Sequence, residues 1–323
     1  MRWPCDNRAV NKPSRRLLIV GCGDVARRLL PSLLKRWQVV ALVRRRDPQL
    51  TALGVRQIEG DLDRPRSLQR LAGIADVLIH SAPPPAAGAT DPRTRYLLAG
   101  LRRGHRLPQR IVYISTSGVY GDCGGAWVSE TWPTRDGEKS ARARRRLDAE
   151  RHLRDAGRRA AGCRISLLRA PGIYADDRLP LERLRQQLPL LEATQDVHTN
   201  HIHAVDLGRA CLAALYRGRA NRVYNICDDS ALRMGDWFDL LADRFDLPRA
   251  PRLPRDAVER QVSPLQWSFM RESRRLDNRR MKHELRLRLR YPNVIDGIDT
   301  IGTAAAALKQ PFANHAGRIA CSG

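Results

Sequence analysis

Aromatic residues and lysine are scarce in this chain, and long apolar runs are absent. Only 5% of the 323 residues are Phe, Trp or Tyr, and five of the 58 basic residues are lysine, which leaves 53 arginines. No stretch of 18 apolar residues occurs, and the segment MRWPCDNRAVNKPSRR lacks the apolar core of a secretory signal. We therefore expect a protein with no membrane partner and a cytoplasmic location.

The cysteines and histidines form no recognisable disulfide or metal pattern. The seven cysteines lack CxxC and CxxH spacing, and their odd number argues against a disulfide framework. His198, His201 and His203 form an HxxHxH pattern, but only Asp206 lies close enough in sequence to complete a tetrahedral zinc site. The sequence therefore predicts reduced thiols and no bound metal.

The excess of arginine gives a formal charge of +24 and a pI near 11.0. Such a charge attracts polyanions, and the run 139–159 is a basic helix. The run contains no aromatic residue for base stacking, and Asp148, Glu150 and Asp155 are interleaved with its arginines. We therefore predict a solvated helix with ion pairs at i,i+3 and i,i+4, and no nucleic-acid partner.

Short apolar runs alternate with longer helical patterns along the first half of the chain. The runs are LLIV at 17–20, QVVALV at 38–43, VRQIEG at 55–60, DVLIH at 76–80, RIVYIS at 110–115 and CRISLLR at 163–169. Continuous apolar strands suit a parallel sheet covered on both faces, and parallel strands need crossover helices. The predicted fold class is α/β, with a doubly wound parallel sheet.

The pattern also suggests how the chain is divided. Residues 1–14 are an unpatterned N-terminal extension, and 15–170 form the sheet domain. Segment 197–227 returns to that domain, because RVYNIC at 222–227 is a further apolar strand. Proline-rich residues 171–310 form a smaller, interleaved substrate-binding lobe, and 311–323 are a tail.

The sequence GCGDVA at 21–26 directly follows the first strand and precedes a helical pattern. Gly21 allows a tight turn, Gly23 lets the backbone approach a pyrophosphate, and Ala26 keeps helix and strand close. Asp24 and Val25 open the helix, whose N-terminus faces the phosphates. The segment predicts dinucleotide binding; the alternative is a plain turn between strand and helix.

The second strand ends in Val43 followed by three arginines, with no acidic residue to bind the ribose 2′-hydroxyl of NAD. Arg44 and Arg45 favour a 2′-phosphate instead, so we predict NADP as the cofactor, with NAD as the alternative. The competing interpretation is that these arginines are only solvated residues in an arginine-rich chain.

Further motifs resemble the extended short-chain dehydrogenase/reductase family of the NAD-dependent epimerase/dehydratase type. They are GDL at 60–62, HSAPPP at 80–85, STSGVYG at 115–121, LRAPGIY at 168–174 and NHIHAVDL at 200–207, in the family's usual order. The resemblance implies an NAD(P)-binding Rossmann fold. It also implies cofactor contacts from Asp61, Leu62, Ser81, Ala82, Pro83, Thr116, Arg146 and Pro171.

The family's YxxxK motif is missing from the next helix, where Arg142 and Arg146 take the places of the tyrosine and the lysine. The chain thus resembles the atypical branch that lacks this tyrosine. Arginine holds its proton under ordinary conditions, so Arg142 cannot shuttle one. It could hold an anionic substrate group or polarise a carbonyl, unless it is a surface arginine; Arg146 could bind the nicotinamide ribose.

Two functions remain open at this point. The first is an NAD(P)-dependent oxidoreductase or epimerase/dehydratase-like protein acting on a carbonyl or alcohol group of a small molecule. Thr116 would then orient the reacting oxygen, or else simply cap its loop, and Tyr120, His203 or water would handle the proton. The second is a catalytically silent NADP(H)-binding sensor or scaffold. The resemblance also implies a possible homodimer.

Overall fold

The computed structural model describes residues 15–104, 106–134 and 140–299. The predicted N-terminal extension and the tail lie outside the described residues. The main body is a seven-stranded sheet in which every neighbouring pair is parallel. Its strands are β1 Arg16–Val20, β2 Gln38–Val43, β3 Arg56–Glu59, β4 Val77–His80, β5 Arg110–Thr116, β7 Arg164–Ala170 and β11 Arg222–Asn225.

The strand order β3-β2-β1-β4-β5-β7-β11 reverses direction at β1, which makes the sheet doubly wound. This confirms the predicted α/β fold class. The sheet's main helices are α1 Asp24–Leu34, α2 Pro48–Ala52, α3 Pro92–Arg102, α4 Ala141–Arg159 and α6 Ala204–Arg217, with 3₁₀ turns at Pro65–Leu71 and Ser117–Tyr120.

Alternate residues of the strands point into two hydrophobic cores, one on each face of the sheet. Leu17 and Ile19 of β1 pack in the core that includes residues of α1 and α6, whereas Leu18 and Val20 pack in the core that includes residues of α3 and α4. All four are fully buried. Since both faces are covered, the strands are apolar throughout, as the sequence indicates.

A third core, which includes Tyr174, Trp237 and Phe238, belongs to the C-terminal part of the chain. The remaining strands and helices of the described chain are β6 Trp127–Val128, β8 Gly172–Tyr174, α5 Leu181–Arg185, β9 Leu190–Leu191, β10 His201–His203, α7 Met234–Arg244, β12 Arg252–Leu253, α8 Arg255–Gln261, α9 Pro264–Met270, β13 Arg275–Leu276 and α10 Arg279–Glu284. The proline-rich stretch around residues 247–267 therefore contains two short helices, each preceded or opened by proline.

Helix α4 is not the solvated helix that the sequence predicts. Its pairs Arg151–Asp148 and Arg158–Asp155 have the expected spacing. Asp148 and Glu150, however, are buried, and Glu150 binds Arg169 of β7 at 2.7 Å between Oε2 and Nη2. The acidic residues thus anchor α4 to its neighbours, because a buried carboxylate needs a partner.

None of the helices within the described ranges combines the length and apolar character needed to cross a membrane.

Candidate functional site

A cleft of about 1090 Å³ lies beyond the carboxyl ends of β1, β2 and β4. In doubly wound sheets this edge is the usual ligand position, at the point where the strand order reverses. Nine residues proposed from the sequence as cofactor contacts line it: Gly21, Gly23, Arg44, Arg45, Asp61, Leu62, Ser81, Ala82 and Pro83. The folded chain brings these separate motifs to one place.

The glycine turn is locked against the loop that follows β4. Gly21 has φ +89°, and a Cβ there would lie 2.6 Å from the Cα of Ala82, so no side chain fits. The Ser81 hydroxyl donates a hydrogen bond to the Gly21 carbonyl at 2.6 Å. The amide of Ala82 donates to the Val20 carbonyl at 3.0 Å. These contacts fix the backbone that faces the cleft.

Helix α1 begins at the cleft without a side-chain cap. Its N-cap residue is Gly23, and a Cβ there would meet nothing within 4 Å. The first amides of a helix lack partners within the helix and favour an anion. The open space at Gly23 and these amides suit the pyrophosphate of a dinucleotide.

Asp24 and Val25 do not line the cleft with their side chains. The Asp24 carboxylate pairs with Arg28 at 2.8 Å and with Arg178 at 3.1 Å. The side chain of Val25 is buried in the core beneath α1. Any contact of these two residues with a phosphate would therefore come from their backbone amides.

Arg44 and Arg45 are exposed at the end of β2 and line the cleft. Among the described residues, no carboxylate lies within ion-pairing distance of either. Their neighbour Arg46 is different, since it pairs with Glu59 at 2.9 Å and does not line this cleft. Two free guanidinium groups at this position suit a phosphate on the adenosine ribose.

The same cleft contains an ion pair that was not predicted from the sequence. Arg27, in the second turn of α1, pairs with Asp47, the N-cap residue of α2. The Arg27 hydrogen bond holds the pKa of Asp47 below its usual value. The sequence does not predict this pair, because the two residues are twenty positions apart and come together only when β2 folds into the sheet beside β1.

The GDL motif is held by a serine hydroxyl. Ser67 Oγ accepts a hydrogen bond from the amide of Asp61 at 2.9 Å and donates to the Arg64 carbonyl at 2.7 Å. Arg93 of α3 pairs with Asp63 at 2.6 Å and donates to the Pro83 carbonyl at 3.1 Å. Arg93 thereby connects the two loops that border the cleft.

Thr116 and Pro171 lie along the same edge of the sheet, at the ends of β5 and β7. Thr116 is in register with Ala170, which directly precedes Pro171. The Thr116 hydroxyl accepts a hydrogen bond from the amide of Gly118 at 3.2 Å. It therefore caps the following 3₁₀ turn, while its own proton stays available to donate.

Arg142 is half-buried, which rules out the surface arginine considered from the sequence. Its guanidinium carbon lies 4.1 Å from the centre of the Phe269 ring. A Cβ on Gly118 would be 3.4 Å from Arg142 Nη2 and 3.5 Å from Thr116 Oγ1. The arginine and the threonine hydroxyl therefore flank the same point of the loop.

Arg146 lies one turn further along α4 and contacts the end of β5. Its Nη1 donates to the Tyr113 hydroxyl and to the Ile114 carbonyl, both at 3.0 Å. The nearby His80 is fully buried, and this burial, reinforced by the charge of Arg146, lowers the pKa of His80 to about 3. The neutral imidazole bonds Thr94 at 3.0 Å.

Tyr120 does not suit the role of proton donor. Its hydroxyl donates to Asn225 Oδ1 at 2.7 Å, and the side chain is 4% exposed. Burial raises the pKa of Tyr120 to about 12, despite the guanidinium of Arg169 over its ring. The geometry instead gives Tyr120 a structural role, because its hydrogen bond ties the loop after β5 to β11 of the sheet.

His203 is equally committed to structure. Its Nδ1 accepts a hydrogen bond from the Val205 amide at 3.2 Å, which makes it the N-cap of α6. The ring packs against Tyr291 at a tilt of 41°, with centroids 3.9 Å apart. Burial lowers the pKa of His203, so the imidazole is neutral and a proton on Nε2 is its only one to donate.

The three histidines of the HxxHxH pattern are used separately. His201 packs against Trp237 at a tilt of 35°, with ring centroids 4.3 Å apart, and burial lowers the pKa of His201 to about 3. His198 lies beside Gly125 and Ser273. Within the part of the chain that the structure describes, no group of three or more His, Cys, Asp or Glu side chains could hold a metal ion.

No disulfide bond joins the five cysteines in the described ranges, which are Cys22, Cys123, Cys163, Cys211 and Cys227.

The part of the chain that forms this site matches a known protein family. A family model described as NAD(P)H-binding matches residues 21–216, which contain the glycine turn and the strand-end loops. No curated protein matches the chain in sequence.

Three solved structures share the fold. A functionally unknown conserved protein from Silicibacter pomeroyi has a TM-score of 0.71 and 27% identity, over 90% of this chain and 99% of that one. UDP-glucose 4-epimerase from Thermotoga maritima, solved with UDP-glucose, has a TM-score of 0.71 and 16% identity, over 91% and 100%. A short-chain dehydrogenase/reductase superfamily protein from Agrobacterium tumefaciens, solved with bound NAD, has a TM-score of 0.70 and 16% identity, over 91% and 98%. The predicted NAD(P)-binding Rossmann fold is confirmed.

Proposed function

The chain belongs to the NAD(P)H-binding family, and we propose that it is an NADP(H)-dependent oxidoreductase or epimerase acting on a carbonyl or alcohol group of a small molecule. The observation that carries the proposal is the cleft at the carboxyl ends of β1, β2 and β4. It combines a glycine turn that tolerates no side chain at Gly21 with an uncapped helix N-terminus. NADP is preferred to NAD because Arg44 and Arg45 line the cleft with no carboxylate partner among the described residues.

The residues beyond the cleft have separate roles in this proposal. Thr116 donates a hydrogen bond from its hydroxyl to the reacting oxygen of the substrate, and Arg142 stabilises the negative charge that develops there. Arg146, anchored on the Ile114 carbonyl, binds the nicotinamide ribose with its remaining donors. The bound cofactor would supply or accept the hydride. Water is the proton source, because the Tyr120 hydroxyl already donates to Asn225 and His203 is only 5% exposed.

The two parts of the chain have different binding functions in this proposal. We propose that 15–170, with 197–227, binds the cofactor, and that 171–310 selects the substrate. The Thermotoga maritima relative of this fold was solved with UDP-glucose, which supports a small-molecule substrate. A homodimer remains a prediction.

The test is NADPH consumption, followed by absorbance, across a panel of aldehydes, ketones and keto acids. Thr116→Ala should lower kcat/KM by about 10²-fold, the usual effect of removing one donor to the reacting oxygen. Thr116→Ser keeps the hydroxyl and should retain most activity. Both variants should bind NADPH like the original protein, which separates catalysis from binding.

A cofactor-binding sensor or scaffold is the second candidate, favoured by the arginine at position 142 where related enzymes carry tyrosine. It predicts tight NADPH binding without turnover on any panel member. It also predicts that NADPH changes partner capture or oligomeric state.

A further inference from the structure

We infer that the substrate carries an oxyanion, a carboxylate or a phosphate, beside its reacting carbon, and that Arg142 binds this group with help from Arg274. The inference rests on the proposed function and specifies its substrate class. It depends on four observations: the position of Arg142, its lack of a partner, the charges around it and the ring beneath it.

The position of Arg142 links the anion to the reacting centre. Arg142 Nη2 and Thr116 Oγ1 both lie within 3.5 Å of the point where a Cβ on Gly118 would be. A group bound to this guanidinium is therefore adjacent to the oxygen that Thr116 is proposed to orient.

Within the part of the chain that the structure describes, Arg142 has no hydrogen-bonding or ion-pairing partner to offset its burial. Among the described residues it donates no hydrogen bond and forms no ion pair, and its Nε is buried without an acceptor. Arginine keeps its charge even where burial lowers its pKa, as burial does here. A half-buried charge without a counter-charge is costly, and a ligand anion would supply the missing partner.

The charged groups around Arg142 are mostly of the same sign. Arg145, Arg146 and Arg274 oppose its charge, and Glu272 is the one carboxylate among the groups that shift its pKa. Glu272 is already bound to Arg274, with 2.8 Å between Oε2 and Nη1. One carboxylate beside four guanidinium groups leaves a strong positive field for an incoming anion.

Arg274, a residue of the second lobe, is one of the charged groups that act on Arg142. Its Nη1 also donates to the Gly121 carbonyl at 2.7 Å, and its Nε is buried without a partner. The Phe269 ring of α9, with its centre 4.1 Å from the Arg142 guanidinium carbon, holds the guanidinium by a cation–π contact. A guanidinium fixed in this way can bind a carboxylate or phosphate through two parallel hydrogen bonds.

The experiment measures anion binding by calorimetry on protein saturated with NADPH, so that the cofactor fills the cleft of Arg44 and Arg45. The probes are oxalate for the carboxylate and inorganic phosphate for the phosphate. Arg142→Gln should weaken the preferred probe by at least about tenfold, the expected loss of a charged hydrogen bond. Arg142→Lys should restore part of the affinity.

Two further variants control for general charge effects. Arg159→Gln removes the same charge from the exposed far end of α4, about 25 Å away, and should change the affinity less than twofold. Glu272→Gln removes the competing carboxylate and should strengthen anion binding.

The outcomes separate the inference from the proposed function. If NADPH does not bind, the proposed function fails. If NADPH binds but neither probe does, or if Arg142→Gln and Arg159→Gln behave alike, the inference on the anion is wrong. The probe with the larger loss in Arg142→Gln identifies carboxylate or phosphate as the recognised group.

Discussion

The Arg27 guanidinium pairs with the Asp47 carboxylate across the cleft, and this pair joins α1 to the start of α2. Asp47 is the first acidic residue after β2, where an acid would favour NAD. Because Arg27 neutralises it, its charge does not repel a phosphate on the ribose.

Arg27→Gln should therefore weaken NADPH binding about fivefold relative to NADH, since the free carboxylate then faces the extra phosphate. Fluorescence titration with both cofactors measures the effect. The double variant Arg27→Gln with Asp47→Asn should recover the original ratio. If it does not, the ion pair has no part in cofactor choice.

Alanine substitutions at the two glycines of the turn should have different effects, one on the stability of the fold and the other on NADPH binding. At Gly21 an alanine would have φ +89° and would collide with Ala82, so we expect Gly21→Ala to lose about 2–4 kcal/mol of stability. At Gly23 the added methyl group meets no protein atom within 4 Å. Gly23→Ala should therefore keep the original Tm but lose the rise in Tm that NADPH causes. An unchanged rise would show that the ligand does not approach this turn.

Asp228 should make stability depend on pH. It is 3% exposed, its Oδ2 has no partner, and burial raises its pKa from 3.8 to about 8. Between those values the folded protein holds a proton that the unfolded chain releases, so stability falls as pH rises.

Asp228→Asn removes this dependence, because the amide cannot ionise. We expect a Tm higher by roughly 2–4 °C at pH 8.5 and a smaller difference at pH 5. Asp229→Asn is the control, since that carboxylate is half-exposed and pairs with Lys282. Equal pH profiles for the original protein and Asp228→Asn would contradict the argument.

The sheet and the glycine turn could be predicted because their signals are local. Each strand is a short apolar run, and a tight turn after β1 requires glycine at position 21 whatever the rest of the chain does. Motifs at the ends of parallel strands meet at one edge, which is why nine predicted cofactor contacts line a single cleft.

The surroundings of Tyr120, Arg142 and the acidic residues of α4 could not be predicted, because they depend on contacts between residues far apart in the sequence. The Tyr120 hydroxyl is bound to Asn225, 105 positions away, so the VYG motif alone cannot show that this hydroxyl is already engaged. Arg142 is covered by Phe269 from a helix within a proline-rich stretch that carries no periodic pattern. Burial of Asp148 and Glu150 likewise depends on neighbours outside α4.

The central claim is that this cleft binds NADP(H) through Arg44 and Arg45, and titration of NADPH and NADH at fixed ionic strength tests it most directly. The original protein should prefer NADPH at least about tenfold, as expected for a charged contact to the 2′-phosphate. Arg44→Ser with Arg45→Ser should abolish the preference, while Arg46→Ser, which removes the same kind of charge outside the cleft, should keep it. Equal affinity for the two cofactors, or a preference that survives the double variant, would contradict the account.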